Sequence, residues 1–277
     1  MKQIAATLIL FFTIQFSNAQ SSCCSATLAF NDISVNTGFQ DKHELKAYSG
    51  PLLKGKMMSI PIEGEDPAMI YTLISPKESN KYLFVFHEWW GLNDHIKGEA
   101  DKYYSSISGI NVIALDLYDG KVATTREEAA DYMQSADQER IFKIIRAVND
   151  WTEEDTEVAT IGWCFGGGWS MQAAIAVETK AVGCVVYYGM PENDQQKLEN
   201  FNCDVLGIFA EEDKWINHTV VSEYETAMKE ADKKYETHWF DAAHAFANPS
   251  NAKYNKEYAE KANSIALSFL KKSLNVK

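Results

Sequence analysis

The stretch Thr160-Ile161-Gly162-Trp163-Cys164-Phe165-Gly166-Gly167-Gly168 decides how the rest of this chain is read. An apolar run, Glu157–Ile161, ends in a G-x-C-x-G turn, and an Ala-rich segment of helical period, Gly167–Glu178, follows. Strand, sharp turn and helix with a nucleophile at the turn make a nucleophile elbow, here with Cys in the place usually held by Ser. Glycines are needed around the reacting residue because the turn leaves no room for β-carbons and strains that residue's own backbone. The helix that follows aims its amino terminus at the sulfur, which favours thiolate and a developing oxyanion alike. The Phe165 backbone N–H is then the first oxyanion donor. A P-loop is excluded, because no Lys-Ser/Thr follows the last glycine, and the dinucleotide pattern G-x-G-x-x-G is absent. The competing interpretation is a packing turn carrying a structural thiol.

Outward from this turn the chain has a regular rhythm. Tyr82–Phe86, Asn111–Leu115, Glu157–Ile161, Ala181–Tyr188, Val205–Ala210 and Tyr235–Phe240 are short runs rich in Val, Ile, Phe and Tyr. Such runs suit strands buried on both faces of a parallel sheet. Between them Asp94–Ile107, Arg126–Ala136, Gln138–Trp151, Gly167–Glu178, Asn217–Ala231 and Asn251–Leu270 repeat apolar residues at helical spacing. Two alternating runs, Lys56–Ile62 and Ala68–Ile74, precede them as an antiparallel pair. The expected fold class is α/β: a mostly parallel sheet flanked by helices, in one domain over 55–277. In such sheets reactive groups gather beyond the carboxyl ends of the strands, so the residues just after each run are the ones to search.

A nucleophile needs a base, and the base an orienting group. Asp213 follows the run Val205–Ala210, and His244 follows Tyr235–Phe240. The chain order Cys164, Asp213, His244 is the one an α/β-hydrolase arrangement demands. His244 would take the thiol proton, and Asp213 would fix the imidazole tautomer and stabilise imidazolium. Glu211 and Glu212 are rivals for the acid, while Asp241 is too near His244 in sequence to be first choice. His43, His95, His218 and His238 have no comparable setting. The run Tyr82–Phe86 ends in His87-Glu88-Trp89-Trp90-Gly91, and Trp89 is the candidate second oxyanion donor. Gly91 breaks H-E-x-x-H, so a zinc protease is not indicated. Glu88 stands where an unpaired carboxylate is costly, and is expected to carry a raised pKa or a specific partner, the thiol first. Trp89, Trp90, Trp163 and Trp215 flank these loops and can wall an aromatic pocket or simply pack.

The 277 residues are 46 % hydrophobic and 23 % charged, which suits a globular chain and excludes disorder. Lys plus Arg number 26 against 39 Asp plus Glu, and a balance of −13 argues against nucleic acid as a partner. Met1-Lys2, the apolar run Ile4–Phe16 and Ser17-Asn18-Ala19 read as a secretory signal, 1–19, cleaved after Ala19. The run is too short to cross about 30 Å of hydrocarbon, so an exported chain, periplasmic or secreted and free of the membrane after cleavage, is expected. Residues 20–54 read as a flexible, polar N-terminal segment. Cys23 and Cys24 could pair with each other, and Cys184 and Cys203 lie in or beside apolar runs as inert thiols. The cysteine spacing matches no metal site. Nothing in the sequence assigns an oligomeric state.

The stretches Val85-Phe86-His87-Glu88-Trp89-Trp90-Gly91-Leu92-Asn93, Ala114-Leu115-Asp116-Leu117-Tyr118, Gly162-Trp163-Cys164-Phe165-Gly166-Gly167, the Asp213 segment and His244-Ala245-Phe246 resemble the dienelactone hydrolase family. The resemblance implies an α/β-hydrolase fold and a Cys-His-Asp triad without metal or organic cofactor. It further implies that Glu88 pairs with the cysteine and helps deprotonate it when substrate enters. Trp90, Tyr118 and Trp215 become candidate substrate contacts. Family members acting on dienelactone hold its carboxylate with arginines, and here those places are taken by Asn248 and by Asp119-Gly120-Lys121. Lys121 can supply a point charge but no bidentate fork. The expectation is a hydrolase that opens a small-molecule ester or lactone through a Cys164 thioester, with a neutral substrate at least as well suited as an anionic one. The alternative is a non-hydrolytic small-ligand binder or thiol redox protein on the same fold; the absence of C-x-x-C weighs against redox relay.

Overall fold

The structure, a computed structural model, describes residues 33–34, 36–40 and 45–277. The segment 1–19 expected to be a signal, Cys23 and Cys24, and His43 lie outside the described residues. A helical turn, α1 (Thr37–Gln40), precedes the antiparallel strands β1 (Lys56–Ile62) and β2 (Glu65–Leu73). Then follow β3 (Lys81–Phe86), α2 (Asp94–Ser106), β4 (Asn111–Leu115), α3 (Arg126–Gln134), α4 (Gln138–Trp151) and β5 (Glu157–Trp163). The chain continues through α5 (Phe165–Ala176), β6 (Ala181–Tyr187), α6 (Gln195–Glu199), β7 (Asp204–Ala210), α7 (His218–Glu230), β8 (Tyr235–Phe240) and α8 (Lys256–Ser273).

The eight strands form one sheet in the order β1-β2-β4-β3-β5-β6-β7-β8. β2 runs antiparallel to both β1 and β4, and every pair from β4 across to β8 is parallel. The central strands are apolar throughout because helices cover both faces, as with Val112, Ile113, Ala114 and Leu115 of β4, all fully buried. Short polar side chains stop the strands from running on and start the helices. Asn93, Thr125, Asp137, Asn217 and Asn255 each accept a backbone N–H from the first turn of the helix they precede. Helix α5 is the exception: Cys164 stands at its cap and makes no side-chain capping bond. The free N–H groups of that helix therefore remain available to whatever gathers around the sulfur.

Several boundaries differ from the periodicity. β2 begins three residues early, at Glu65, because the chain turns directly back onto β1 with Glu65 opposite Ile62. The helix expected from Gly167 starts at Phe165, since the elbow enters it without a linker, and ends at Ala176. The helix expected from Asn251 starts at Lys256; Asn251 instead accepts the Lys253 N–H, and Asn255 is the cap. The short α6 carries too few residues to show a period.

The largest departure is N-terminal. Residues 20–54 read as a flexible segment, yet within their described part Ile33, Ser34 and Phe39 are buried. The Lys54 N–H is held by Asp101 at 2.7 Å, and the Lys46 carbonyl lies 2.8 Å from His95 Nε2. Polarity and lack of period disguised a segment that docks through a few apolar side chains.

The elbow fits because glycine meets glycine. A Cβ on Gly162 would lie 2.0 Å from the Gly166 carbonyl oxygen, and one on Gly166 would lie 2.4 Å from the backbone oxygens of Phe86 and His87. Backbone cannot yield at such distances. Gly162→Ala is therefore expected to destabilise the fold by about 3 kcal/mol or more, read as a shift in the urea midpoint. A loss under about 1 kcal/mol would show that the turn has slack.

Candidate active site

Every strand from β3 to β8 points its carboxyl end to the same edge of the sheet, and six loops leave there. β5 delivers Cys164 with φ +56°, a conformation costly for a side chain with a Cβ. Its N–H is tied to the Tyr187 carbonyl at 3.0 Å, which pins the elbow to the end of β6. The sulfur is 1 % exposed. The backbone N–H groups of Phe165 and Trp89 both reach it. Burial and the neighbouring Glu88 charge push the thiol well above the ordinary range, while those two N–H groups pull the other way.

β7 delivers Asp213 and β8 delivers His244. Asp213 Oδ2 and His244 Nδ1 lie 2.5 Å apart, with both side chains buried. The other oxygen, Oδ1, accepts the N–H groups of Trp215 at 2.9 Å and Ile216 at 3.1 Å, so the loop's own backbone orients the carboxylate. Burial alone would raise the Asp213 pKa, but the His244 imidazole and these N–H groups hold it below the usual carboxylate value. The β7 and β8 loops are stitched together by Glu211 N–H to Phe240 O and Glu212 N–H to Ala242 O. Glu211 and Glu212 themselves face solvent, and Glu211 pairs with the exposed His218. Asp241 is exposed too. Of these carboxylates, Asp213 is the one placed against the His244 imidazole.

β3 delivers Glu88, which is buried beside the thiol. Asn248 Nδ2 donates to its Oε2, and its Oε1 has no hydrogen-bond partner among the described residues. Burial pushes the carboxyl up to about 8, against the pull of Asn248. A cavity of about 430 Å³, walled in part by Tyr48, Ile96, Trp163 and Asn263, reaches Glu88 and Asn248 from the α2 side. Asn248, expected as a substrate contact, is therefore engaged by the glutamate.

The remaining expected contacts divide. Burial first, and then the charge of the nearby Cys164, raise the Tyr118 pKa, and its hydroxyl finds no partner among the described residues. Trp215 stands 6.4 Å from the His244 ring, and Trp90 packs edge-on against Trp89 at 5.1 Å. Lys121 does not join them: it is exposed, with its ammonium 5.7 Å from the Tyr132 ring centroid. The reason is the turn after β4, where Asp116 accepts the N–H groups of Tyr118 and Gly120 and curls the chain outward.

Three residues escaped the sequence reading. Tyr188 directly follows β6 and lays its ring 5.1 Å from His244; the rule about strand ends would have found it, had the run not been extended through it. His87 braces the site from behind. Its Nε2 accepts the Leu117 N–H at 3.0 Å, so Nδ1 carries the proton and donates to the Glu88 carbonyl at 2.6 Å. Burial lowers its pKa, which keeps that neutral tautomer. Phe39 comes from α1 and has no sequence signal at all. Among the described residues, no cluster of three His, Cys, Asp or Glu is placed to hold a metal ion.

Comparison with known proteins places these features in a family. The sequence model of the Dienelactone hydrolase family matches residues 69–274. Two proteins named "Putative carboxymethylenebutenolidase" are similar to this chain. That of Aquifex aeolicus is 27 % identical over 212 residues, covering 72 % of this chain and 91 % of its own. That of Saccharolobus solfataricus is 26 % identical over 242 residues, covering 72 % and 92 %. The fold is shared with a "Putative Dienelactone Hydrolase" from Klebsiella pneumoniae, at TM-score 0.68 and 20 % identity over 79 % of this chain and 99 % of that one. It is shared with the dienelactone hydrolase of Anabaena variabilis at TM-score 0.57 and 18 % identity, over 78 % and 96 %.

The buried Glu88 gives a stability signature. Its folded pKa, about 8, lies above the ordinary glutamate value, so the folded chain holds this proton more tightly than the unfolded one. Its contribution is present below the unfolded pKa and is lost as pH rises through about 8. Glu88→Gln is expected to flatten the fall in stability between pH 5 and 8 by up to about 1.4 kcal/mol per pH unit, measured by urea unfolding. An unchanged slope would mean that Glu88 is ionised in the folded protein.

Proposed function

The chain belongs to the dienelactone hydrolase family, and we propose that it opens a small, uncharged ester or lactone through a covalent thioester on Cys164. The observation that carries this reading is the His244–Asp213 pair, 2.5 Å apart, buried in the same strand-end cluster as a sulfur that two backbone N–H groups already reach.

His244 takes the Cys164 proton, and the sulfur attacks the carbonyl carbon. The former carbonyl oxygen becomes an oxyanion that the Phe165 and Trp89 N–H groups stabilise. As the tetrahedral centre collapses, the C–O bond breaks and His244 gives its proton to the departing alkoxide, leaving an acyl thioester. Water then attacks that carbon, His244 takes the water's proton, and the C–S bond breaks to release the acid and restore the thiol. Asp213 holds the imidazole with Nδ1 protonated and steadies the imidazolium in both halves. Tyr118, with its unsatisfied hydroxyl beside the sulfur, suits a hydrogen bond to the substrate. Because thiolate also leaves easily, activated esters and strained lactones should outpace amides.

An uncharged substrate follows from the charge around the site. Asn248 stands where a carboxylate-binding arginine was expected and is bound to Glu88, and Lys121 faces solvent. Neither of these two positions therefore offers a cation to an anionic substrate.

Brief exposure to an aryl acetate should leave an acetyl adduct on Cys164 by mass spectrometry. Cys164→Ala should lose both adduct and turnover, with kcat/KM down by roughly 10³-fold or more, while remaining folded. Asp213→Asn should lose activity on a similar scale with the fold retained. Full turnover in folded Cys164→Ala, or a peptide cleaved faster than the aryl acetate, would reject the proposal.

A further inference from the structure

The catalytic cluster has a wall that does not come from the family's part of the chain. Phe39, on the short helical turn Thr37–Gln40, is fully buried. Its ring lies 5.3 Å from the His244 imidazole, 5.2 Å from Trp89 and 5.1 Å from Trp215, each contact edge-on. Residue 39 stands thirty positions before the stretch 69–274 that the family model matches. The side chain closing over the imidazole therefore lies outside the stretch that the family model matches.

Its position on the imidazole has a chemical meaning. The carboxylate side of the ring is taken by Asp213 at Nδ1, and Tyr188 packs at 5.1 Å. Phe39 and Trp215 also stand against this ring, at 5.3 and 6.4 Å, and the alcohol departing from an ester must receive its proton from His244. The sulfur, the imidazole and Phe39 are all almost fully buried, so this ring takes up space that a leaving group would need. Three aromatic side chains also make that space apolar, and a charged alcohol portion would be desolvated there without a partner.

We propose that Phe39 is a specificity-determining residue: its ring restricts the leaving-group side of the site to small, uncharged alcohols. This rests on Cys164 and His244 being the reacting pair. The assignment concerns the alcohol side alone and leaves the acyl preference unchanged. Phe39 belongs to the N-terminal segment rather than to the sheet, so removing the ring leaves the core strands and the Asp213–His244 pair in place.

The test uses the full chain with Phe39→Ala and the milder Phe39→Leu. Two readouts are compared with the unaltered protein: kcat/KM for 1-naphthyl acetate relative to methyl acetate, and the rate of Cys164 alkylation by N-(1-pyrenyl)maleimide relative to iodoacetamide. Both ratios are expected to rise at least threefold in Phe39→Ala and in the same direction in Phe39→Leu. The preference between phenyl butyrate and phenyl acetate, which differ only in the acyl group, should stay within twofold. A change in acyl preference with no change in alcohol preference overturns the assignment, as does a rise below threefold in the alkylation ratio. If Phe39→Ala does not fold, Phe39→Leu decides on the same measurements. If no ester is turned over by any form, the hydrolase reading falls, while the alkylation ratio alone decides whether Phe39 guards the sulfur.

Discussion

One backbone angle governs this molecule: Cys164 sits at φ +56°, in a turn where the peptide planes on either side touch other backbone. Holding a side-chain-bearing residue there costs on the order of 1–3 kcal/mol, and the surroundings must make any relaxed alternative worse. They do so with close contact. Gly162 and Gly166 face one another, Gly166 lies against the end of β3, and Gly167 against Gly189. The strand register carries this outward, since β3 and β6 flank β5 and bring Phe86 and Tyr187 opposite Gly162 and Trp163. The sulfur is presented at the mouth of helix α5 because the turn fixes residue 164 at that cap, and both N–H donors converge on it for the same reason.

Electrostatics then sets the resting state. The sulfur and Glu88 are buried side by side; burial makes both harder to ionise, and the Glu88 charge raises the thiol further. Two neutral groups, a thiol and a carboxylic acid, are the arrangement of lower energy in such a site. Asp213 is the opposite case, a buried carboxylate kept charged by an imidazole and two loop N–H groups. Two acids within one cluster are thus driven apart by their partners: the one with backbone donors and an imidazole stays ionised, and the one with a single amide stays protonated. A quiet thiol beside a charged base-orienting acid is what a cysteine hydrolase needs if it is to avoid reacting before substrate arrives.

Most of this was legible in the sequence. Short apolar runs at even spacing gave the parallel sheet, and the residues just beyond them gave Glu88, Cys164, Asp213 and His244, because topology alone brings strand ends together. What periodicity does not carry is direction after the strand ends. Lys121 follows a strand as correctly as Asp213 does, but the Asp116 side chain captures two N–H groups and turns the chain to solvent. Asn248 is near the site as expected, yet its partner is Glu88 rather than a ligand. His87, read only as half of a failed zinc motif, is a neutral brace between two loops, a role set by hydrogen bonds that no pattern in the sequence shows.

Phe39 shows a different limit. A segment with few apolar residues and no period reads as loose chain, and by average composition residues 20–54 are that. Docking, however, is decided by individual side chains: one phenyl ring seated among three aromatic partners removes enough apolar surface from water to order a single turn of helix. The same ring cannot pack against Trp89 and Trp215 without lying over His244, since those two indoles are themselves the walls of the site. Anchoring the N-terminal segment and narrowing the catalytic chamber are therefore one contact, and a sequence change that loosens the first must widen the second.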